Sequence, residues 1–202
     1  MTPEGRPRDA SISHAIVQTA LRRMESGGYS TLTVDGIVTE VGTTRQTFYR
    51  RYHSVAALAL EVIQRRFSTQ EPVDTGGLET DLLMIQRRDL AMMSSTLIQH
   101  NLPGLLADFR TDQLVRQRYF DTIVTPKKHT MRVVLDRAQA RGEITSRDHD
   151  LGFLCDLLFG PILARAILPS DFSLDDRLAR DTVAVAMHAI QPFPDQRAAP
   201  LT

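Results

Sequence analysis

The sequence predicts an all-α fold of about nine helices, with a helix-turn-helix pair near the front and a larger helical portion behind it. Three observations carry this. Runs of alternating β-branched and polar residues bounded by tight turns are nearly absent, so strands are not expected. Apolar residues recur at three- and four-residue steps along most of the chain. Residues 33–52, TVDGIVTEVGTTRQTFYRRY, read as two short helices separated by a turn around Gly42.

The first helix carries Ile12, Ile16, Ala20 and Met24 at four-residue steps. Asp9 or Ser11 is its expected cap, and Gly27-Gly28 its end. Thr33 then caps a short helix with Asp35 in its first turn, where the helix dipole favours an acid. A second short helix runs from about Thr44 to Tyr49, capped by Thr44, or by Thr43 with Gln46 completing a capping box. Ser54 caps a longer helix through Phe67, and 68–77 read as a linker. One helix is expected from Leu78 to His100, broken by Asn101-Leu102-Pro103-Gly104 and followed by a short turn, Leu105–Phe109. Asp112 opens a long helix towards Arg141 that Pro126 should kink or split, with Gly142 as its C-terminal glycine. An apolar helix from Asp148 to Leu168, interrupted at Gly160-Pro161, and a last helix from Asp175 to Ile190 complete the series. The expected organisation is therefore a flexible basic arm (1–10), a helix-turn-helix domain (11–67, including a bridging helix 54–67), a second helical domain (78–190) and a flexible Pro-rich tail (191–202).

Composition narrows the function classes. With 42% apolar and 24% charged residues in 202, disorder throughout is excluded. No apolar run is long enough to span a membrane, and the first residues, MTPEGRPRDA, lack the apolar core of a secretory signal. A lone Cys155 excludes an internal disulfide and a cysteine zinc site, and fits a reducing cytoplasm. The net charge is zero, but residues 1–67 hold nine arginines against six acids, a net +3 that leaves −3 on the remainder. A basic front and an acidic rear suggest two jobs.

The short helix pair carries the most information. The second helix would lie in the major groove, whose width of about 12 Å admits a helix and where base edges are distinguishable. Arg45 suits guanine, Gln46 adenine, and the Thr47 methyl thymine, while Tyr49 and Arg50 are also exposed on the helical projection. No acid occurs between Glu40 and Glu61, as a segment laid against phosphates requires.

Residues 1–67 resemble the DNA-binding domain of TetR-type transcriptional regulators. The likeness is carried by Thr33-Val34, Ile37-Val38, Val41-Gly42-Thr43-Thr44, Thr47-Phe48-Tyr49, Tyr52, Ser54 and Leu58, with Gly27-Gly28-Tyr29 ahead of them. Further on, Arg141-Gly142-Glu143-Ile144 and Leu157-Leu158-Phe159-Gly160-Pro161 resemble two elements of the family's rear helices. The resemblance implies phosphate contacts from Thr33, Thr44 and Tyr49, base contacts from Arg45, Gln46 and Thr47, His53 near the backbone, and Gly5-Arg6-Pro7-Arg8 as an arm along the minor groove. Three residues depart from the family pattern. Val55 replaces the usual lysine that opens the fourth helix, and Arg50 and Arg51 are candidates to supply its charge. Gly36 weakens the second helix by about 1 kcal/mol relative to alanine. Polar Thr43 stands where a small apolar residue is usual.

Elsewhere the sequence offers little chemistry. Its six histidines include no i, i+4 pair, nucleotide-binding glycine motifs and a nucleophile elbow are absent, and no paired acid–base set is evident. An enzyme, a metal and a cofactor are therefore not expected. His149 between Asp148 and Asp150 reads as a solvated helix cap, and Cys155 as an inert buried thiol. The rear half is rich in soft apolar residues, and a cavity there is implied by the resemblance. Its candidate lining is Met92, Met93, Phe109, Tyr119, Phe120 and Phe153, with Thr96, His100 and Arg116 as polar anchors. The expected function is a cytoplasmic, homodimeric repressor released from a double-stranded DNA operator by a small apolar effector, with no membrane partner. The alternative is an all-α interaction module whose basic hairpin binds an acidic protein. Sequence-selective, salt-dependent binding to duplex DNA separates the two.

Overall fold

The computed structural model describes residues 6–67, 73–145, 149–168 and 171–190. In chain order the helices are α1 (Arg6–Gly27), α2 (Val34–Val41), α3 (Arg45–Tyr49), α4 (Val55–Phe67), α5 (Leu78–Met93), α6 (Thr96–Thr111), α7 (Gln113–Tyr119), α8 (Thr125–Ala140), α9 (Leu151–Ile167) and α10 (Asp176–Ile190). A 3-10 turn spans Tyr29–Thr31, and a π-helical turn, Phe120–Val124, joins α7 to α8. The described residues contain no strand.

The caps follow the sequence logic. Thr33 accepts from the Gly36 N–H, Thr44 from Thr47, Ser54 from Ala57, Asp112 from Leu114 and Val115, and Asp150 from Phe153. Each satisfies backbone donors that the first helical turn leaves unpaired. Pro126 sits in the first turn of α8, where its missing N–H costs nothing, and the π turn lies just before it.

Three boundaries differ from expectation. α1 starts at Arg6, so residues 6–10 of the expected arm are helical; Pro7 is compatible with a first turn. The Gly5 end of that arm, residues 68–72 of the linker, Asp148 and the tail 191–202 lie outside the described residues. The break expected at Asn101–Gly104 falls instead at Ser94-Ser95, where Ser95 caps α6 by accepting from Ile98. Pro103 and Gly104 lie inside α6. Gly104 is there for close approach: a Cβ would come within 2.4 Å of the Tyr29 ring. Gly160-Pro161 likewise leaves α9 unbroken.

The chain forms two compact units, and chain order does not decide membership. The first comprises residues up to Gln70 together with Ser95–Ile123. In it α1 packs against α2, α4 and α6, and α4 packs against α6 and α7. Ile16, Met24, Ile37, Phe48, Leu58 and Leu105 are fully or almost fully buried. Asn101, also buried, donates through Nδ2 to the carbonyls of Met24 and Leu97 and so ties α6 to α1. Thus α6 and α7, assigned from the sequence to the rear domain, pack with the front helices.

The second unit comprises Glu71–Ser94 and residues from Val124 onward. Here α5, α8, α9 and α10 share a core that includes Leu78, Leu82, Val134, Leu154, Leu158 and Val183. Val73, expected in the linker, is buried in this unit, and its carbonyl accepts from Arg137 at 2.8 Å. The buried Gln86 donates to the Leu158 carbonyl (2.9 Å) and the Thr182 hydroxyl (2.6 Å). Leu158, in the middle of the very apolar α9, is thus a core residue.

Candidate nucleic-acid interface

The interface is built on α2 and α3. α2 ends at Gly42, whose φ of +70° is a left-handed conformation that favours glycine. There Gly42 N–H donates to Thr39 and Thr43 N–H to Val38, a paired closure that fixes the turn into α3. α3 has five residues, too few to stand alone. Phe48 holds it: its ring is fully buried, 5.7 Å from that of Tyr52 and 5.5 Å from that of Tyr49. The buried Tyr52 donates to Glu61 of α4 at 3.2 Å. Burial and the nearby Glu61 charge push the Tyr52 hydroxyl up to about 12, so it stays protonated.

Anchoring one side of α3 leaves the other open. Thr33, Thr44, Arg45, Gln46, Tyr49, Arg50 and His53 are exposed, and Thr47 is half-buried. Thr44 and Thr47 hydroxyls are 3.0 Å apart. Arg51 and His53 are turned to the frame of the motif. Arg51 donates to Ser13 of α1 and to the Thr47 carbonyl, both at 2.9 Å, which turns it towards the frame of α3. His53 Nε2 lies 3.3 Å from Asp112, the cap of α7.

Acids hold the arginines of α1 and α3 in place. Glu40 accepts from Arg22 and Arg23, and Arg23 also donates to the carbonyls of Thr31 and Gly36. Gly36 is therefore more than a weak helix residue: a Cβ would sit 2.5 Å from the Arg23 guanidinium. Asp35 of α2 accepts two hydrogen bonds from Arg45. The Asp35 carboxyl is held below its ordinary value by those hydrogen bonds. This pairing was missed from the sequence because ten residues and a turn separate the partners. Nor does spacing reveal the links that brace the motif from behind, Arg118 to Glu61 (2.8 Å) and Tyr29 to Asp108. Burial, with Asp108 alongside, raises the Tyr29 hydroxyl well above its usual range.

The nine candidate effector residues fall into separate groups. In the first unit the rings of Phe109 and Tyr119 lie 4.7 Å apart, and Tyr119 and Phe120 5.8 Å apart, while Thr96, His100 and Arg116 are exposed. In the second, Met93 is buried, Met92 is half-buried and Phe153 is 57% exposed. Cys155 is only half-buried, and burial pushes its thiol up. Among the described residues no cluster of histidine, cysteine or acid is arranged to hold a metal, and no helix is long and apolar enough to cross a membrane.

A short polar helix, carried on one buried aromatic and set after a glycine turn, defines a helix-turn-helix transcriptional regulator. Comparison with known proteins narrows the class. Residues 16–62 match the model of bacterial regulatory proteins of the tetR family, and residues 72–186 that of the tetracyclin repressor-like C-terminal domain. The chain belongs to the TetR family of transcriptional regulators. It is 23% identical over 187 residues to the HTH-type transcriptional regulator YdeS of Bacillus subtilis, covering 93% of each chain. It is 28% identical over 168 residues to the HTH-type regulator Rv1556 of Mycobacterium tuberculosis, covering 81% of this chain and 78% of the relative. Its fold is similar to that of the TetR family regulator SCO0332, with a TM-score of 0.71 at 23% identity, covering 90% and 100% of the two chains. It is also similar in fold to Bacillus subtilis FadR, solved with stearoyl-CoA, with a TM-score of 0.58 at 14% identity, covering 88% and 99%.

Proposed function

We propose that two copies of this chain form a cytoplasmic repressor that binds an inverted-repeat operator through α3 of each copy and releases it when a small apolar molecule binds. The observation that carries the reading is the Phe48 anchor with Arg45, Gln46, Tyr49 and Arg50 exposed around it. Arg45, Gln46 and Thr47 read bases, while Thr33, Thr44, Tyr49 and Arg50 meet phosphates. Arg51 and His53 support the frame at the edge of the contact. One helix this short touches too few base pairs for specificity in a genome, which is the argument for a dimer. The apolar surplus of α9, with exposed Phe153, and exposed Val185 of α10 support an interface on those helices.

A division into a DNA-binding domain, 11–67, and an effector and dimer domain, 78–190, is supported by family matches over 16–62 and 72–186, although α6 and α7 pack with the front helices. The switch is a two-state one in which the effector favours a conformation that misplaces the reading helices. α4 suits the role of lever, since Ala56–Leu60 are buried without a gap and its neighbours α6 and α7 belong to the same unit. An apolar effector is supported by the adjoining rings of Phe109, Tyr119 and Phe120 in the first unit, and by the stearoyl-CoA with which FadR was solved.

Selection from random duplexes by the full chain tests the reading. The expected product is an inverted repeat whose affinity falls steeply with salt. Enrichment of nothing above unrelated duplex overturns it.

A further inference from the structure

We propose that Asp35 is a positioning residue for base readout, holding Arg45 side-on so that the outer edge of its guanidinium faces one guanine in each half-site. The inference rests on the reading of α3 as the DNA-reading helix.

The geometry is specific. Arg45 donates through Nε to one carboxylate oxygen of Asp35 and through Nη2 to the other. A guanidinium is a rigid plane with five N–H donors. The carboxylate takes the Nε/Nη2 edge. The edge made by Nη1 and the outer hydrogen of Nη2 matches the fork that guanine O6 and N7 accept in the major groove. Both side chains stand in solvent, Arg45 at 66% and Asp35 at 62% exposure, so the pair is no part of the core. An isolated exposed pair adds little to stability, and orientation is what this one supplies.

Position supports the same role. Asp35 lies in the first turn of α2 and Arg45 is the first residue of α3. The left-handed Gly42 and the Thr44 cap fix the backbone between them. A loose arginine beside DNA pairs with the nearest phosphate, which carries no sequence information. A carboxylate next to it is repelled by phosphates and removes that option. Asp35 thus lowers general affinity and raises selectivity.

The test uses the full chain and the duplex it selects. Affinities are read by fluorescence anisotropy for that duplex, for versions with each guanine replaced, and for an unrelated duplex. Wild type should prefer one guanine per half-site by about 5- to 150-fold, and Arg45→Ala should abolish that preference. Asp35→Ala should bring it to within about threefold of indifference, while affinity for unrelated duplex holds or rises. Asp35→Glu should restore part of the preference. In an Arg45→Ala background, Asp35→Ala should change preference no further. Circular dichroism should show all of these exposed variants folded, with the melting temperature of Asp35→Ala lowered by at most a few degrees through the lost charge at the start of α2.

Full guanine preference in Asp35→Ala overturns the proposal. So does equal weakening on selected and unrelated duplexes, or tighter binding to every duplex with preference intact, where the pair merely competes with phosphate. A selected site with no Arg45-dependent guanine overturns it too. A wild type that selects no sequence defeats the DNA-reading assignment and this proposal with it.

Discussion

α3 and α9 are each held by one face, and their other faces have opposite character. In α3 only Phe48 is buried, and what remains is polar or amphipathic. In α9 Leu154, Leu158 and Ile162 are buried at four-residue steps. Beyond that stripe Leu151 and Leu157 pack at the edge of the same core, while Phe153 is exposed and Phe159 and Leu163 are half-exposed on a surface interrupted by Asp156. A polar outer face is at ease in water and gains from a charged partner. An apolar outer face of this extent asks to be covered. The two helices therefore point to different kinds of partner, although both are anchored by the same physics.

The largest effects should come from the anchors. Phe48→Ala empties a fully buried site and should cost about 3–5 kcal/mol. Urea unfolding should show the loss, and operator binding should go with it. Leu158→Glu places a charge in the core of the second unit and should leave little folded protein, measurable as lost helicity. If either variant unfolds like the wild type, the side chain is not the anchor it is taken for.

The outer faces should respond differently. Phe153→Glu lies on the exposed side of α9 and should leave helicity intact while converting dimer to monomer in light scattering. A dimer that persists at micromolar concentration places the interface elsewhere. Arg45→Ala should cost about 1–3 kcal/mol at the selected operator and relax base preference. Tyr49→Phe should cost less, about 0.5–1.5 kcal/mol, and equally on all duplexes, since it removes one phosphate contact. A Tyr49→Phe effect confined to the operator reassigns that side chain to base contact.

The same contrast explains how far sequence alone reaches. The α2–α3 pair was legible because its signals are local: Thr33 and Thr44 as caps, Gly42 as the turn between the helices, and the family-like stretch around Thr47-Phe48-Tyr49. The caps at Ser54 and Asp112 were legible for the same reason, whereas the cap of α9 falls at Asp150 and not at the Asp148 start the sequence suggested. Pro103-Gly104 and Gly160-Pro161 misled because helix breakers act on propensity, while tertiary contacts decide the outcome. Gly104 is a contact for Tyr29, not a break. The Asp35–Arg45 and Arg23–Glu40 pairs were hidden because they depend on the angle between helices. The grouping of α6 and α7 with the front helices was hidden too, since it rests on long-range links such as Asn101 to Met24.

The smallest expected effect concerns Glu143, in the stretch Arg141-Gly142-Glu143-Ile144. Its carboxylate accepts from the Leu78 N–H at 2.7 Å and so caps α5 from 65 residues away. It also accepts from Arg141, whose guanidinium lies 3.5 Å from the fully buried carboxylate of Asp81. The Leu78 N–H, and after it Arg141, hold the Glu143 carboxyl below its ordinary value of 4.5. A carboxyl lowered in the folded state binds protons more readily in the unfolded chain. Its contribution is therefore present above the ordinary value and lost as pH falls through the lowered one. Glu143→Gln keeps an oxygen for the Leu78 N–H but discards the charge. Its melting temperature should lie below that of the wild type at pH 7, by no more than about 3 °C for so exposed a group. Calorimetry should show a smaller gap at an acid pH below the lowered value, where the wild-type carboxyl takes up its proton, than at pH 7. A gap of the same size at both pH values would assign the effect to the shape of the cap and not to its charge.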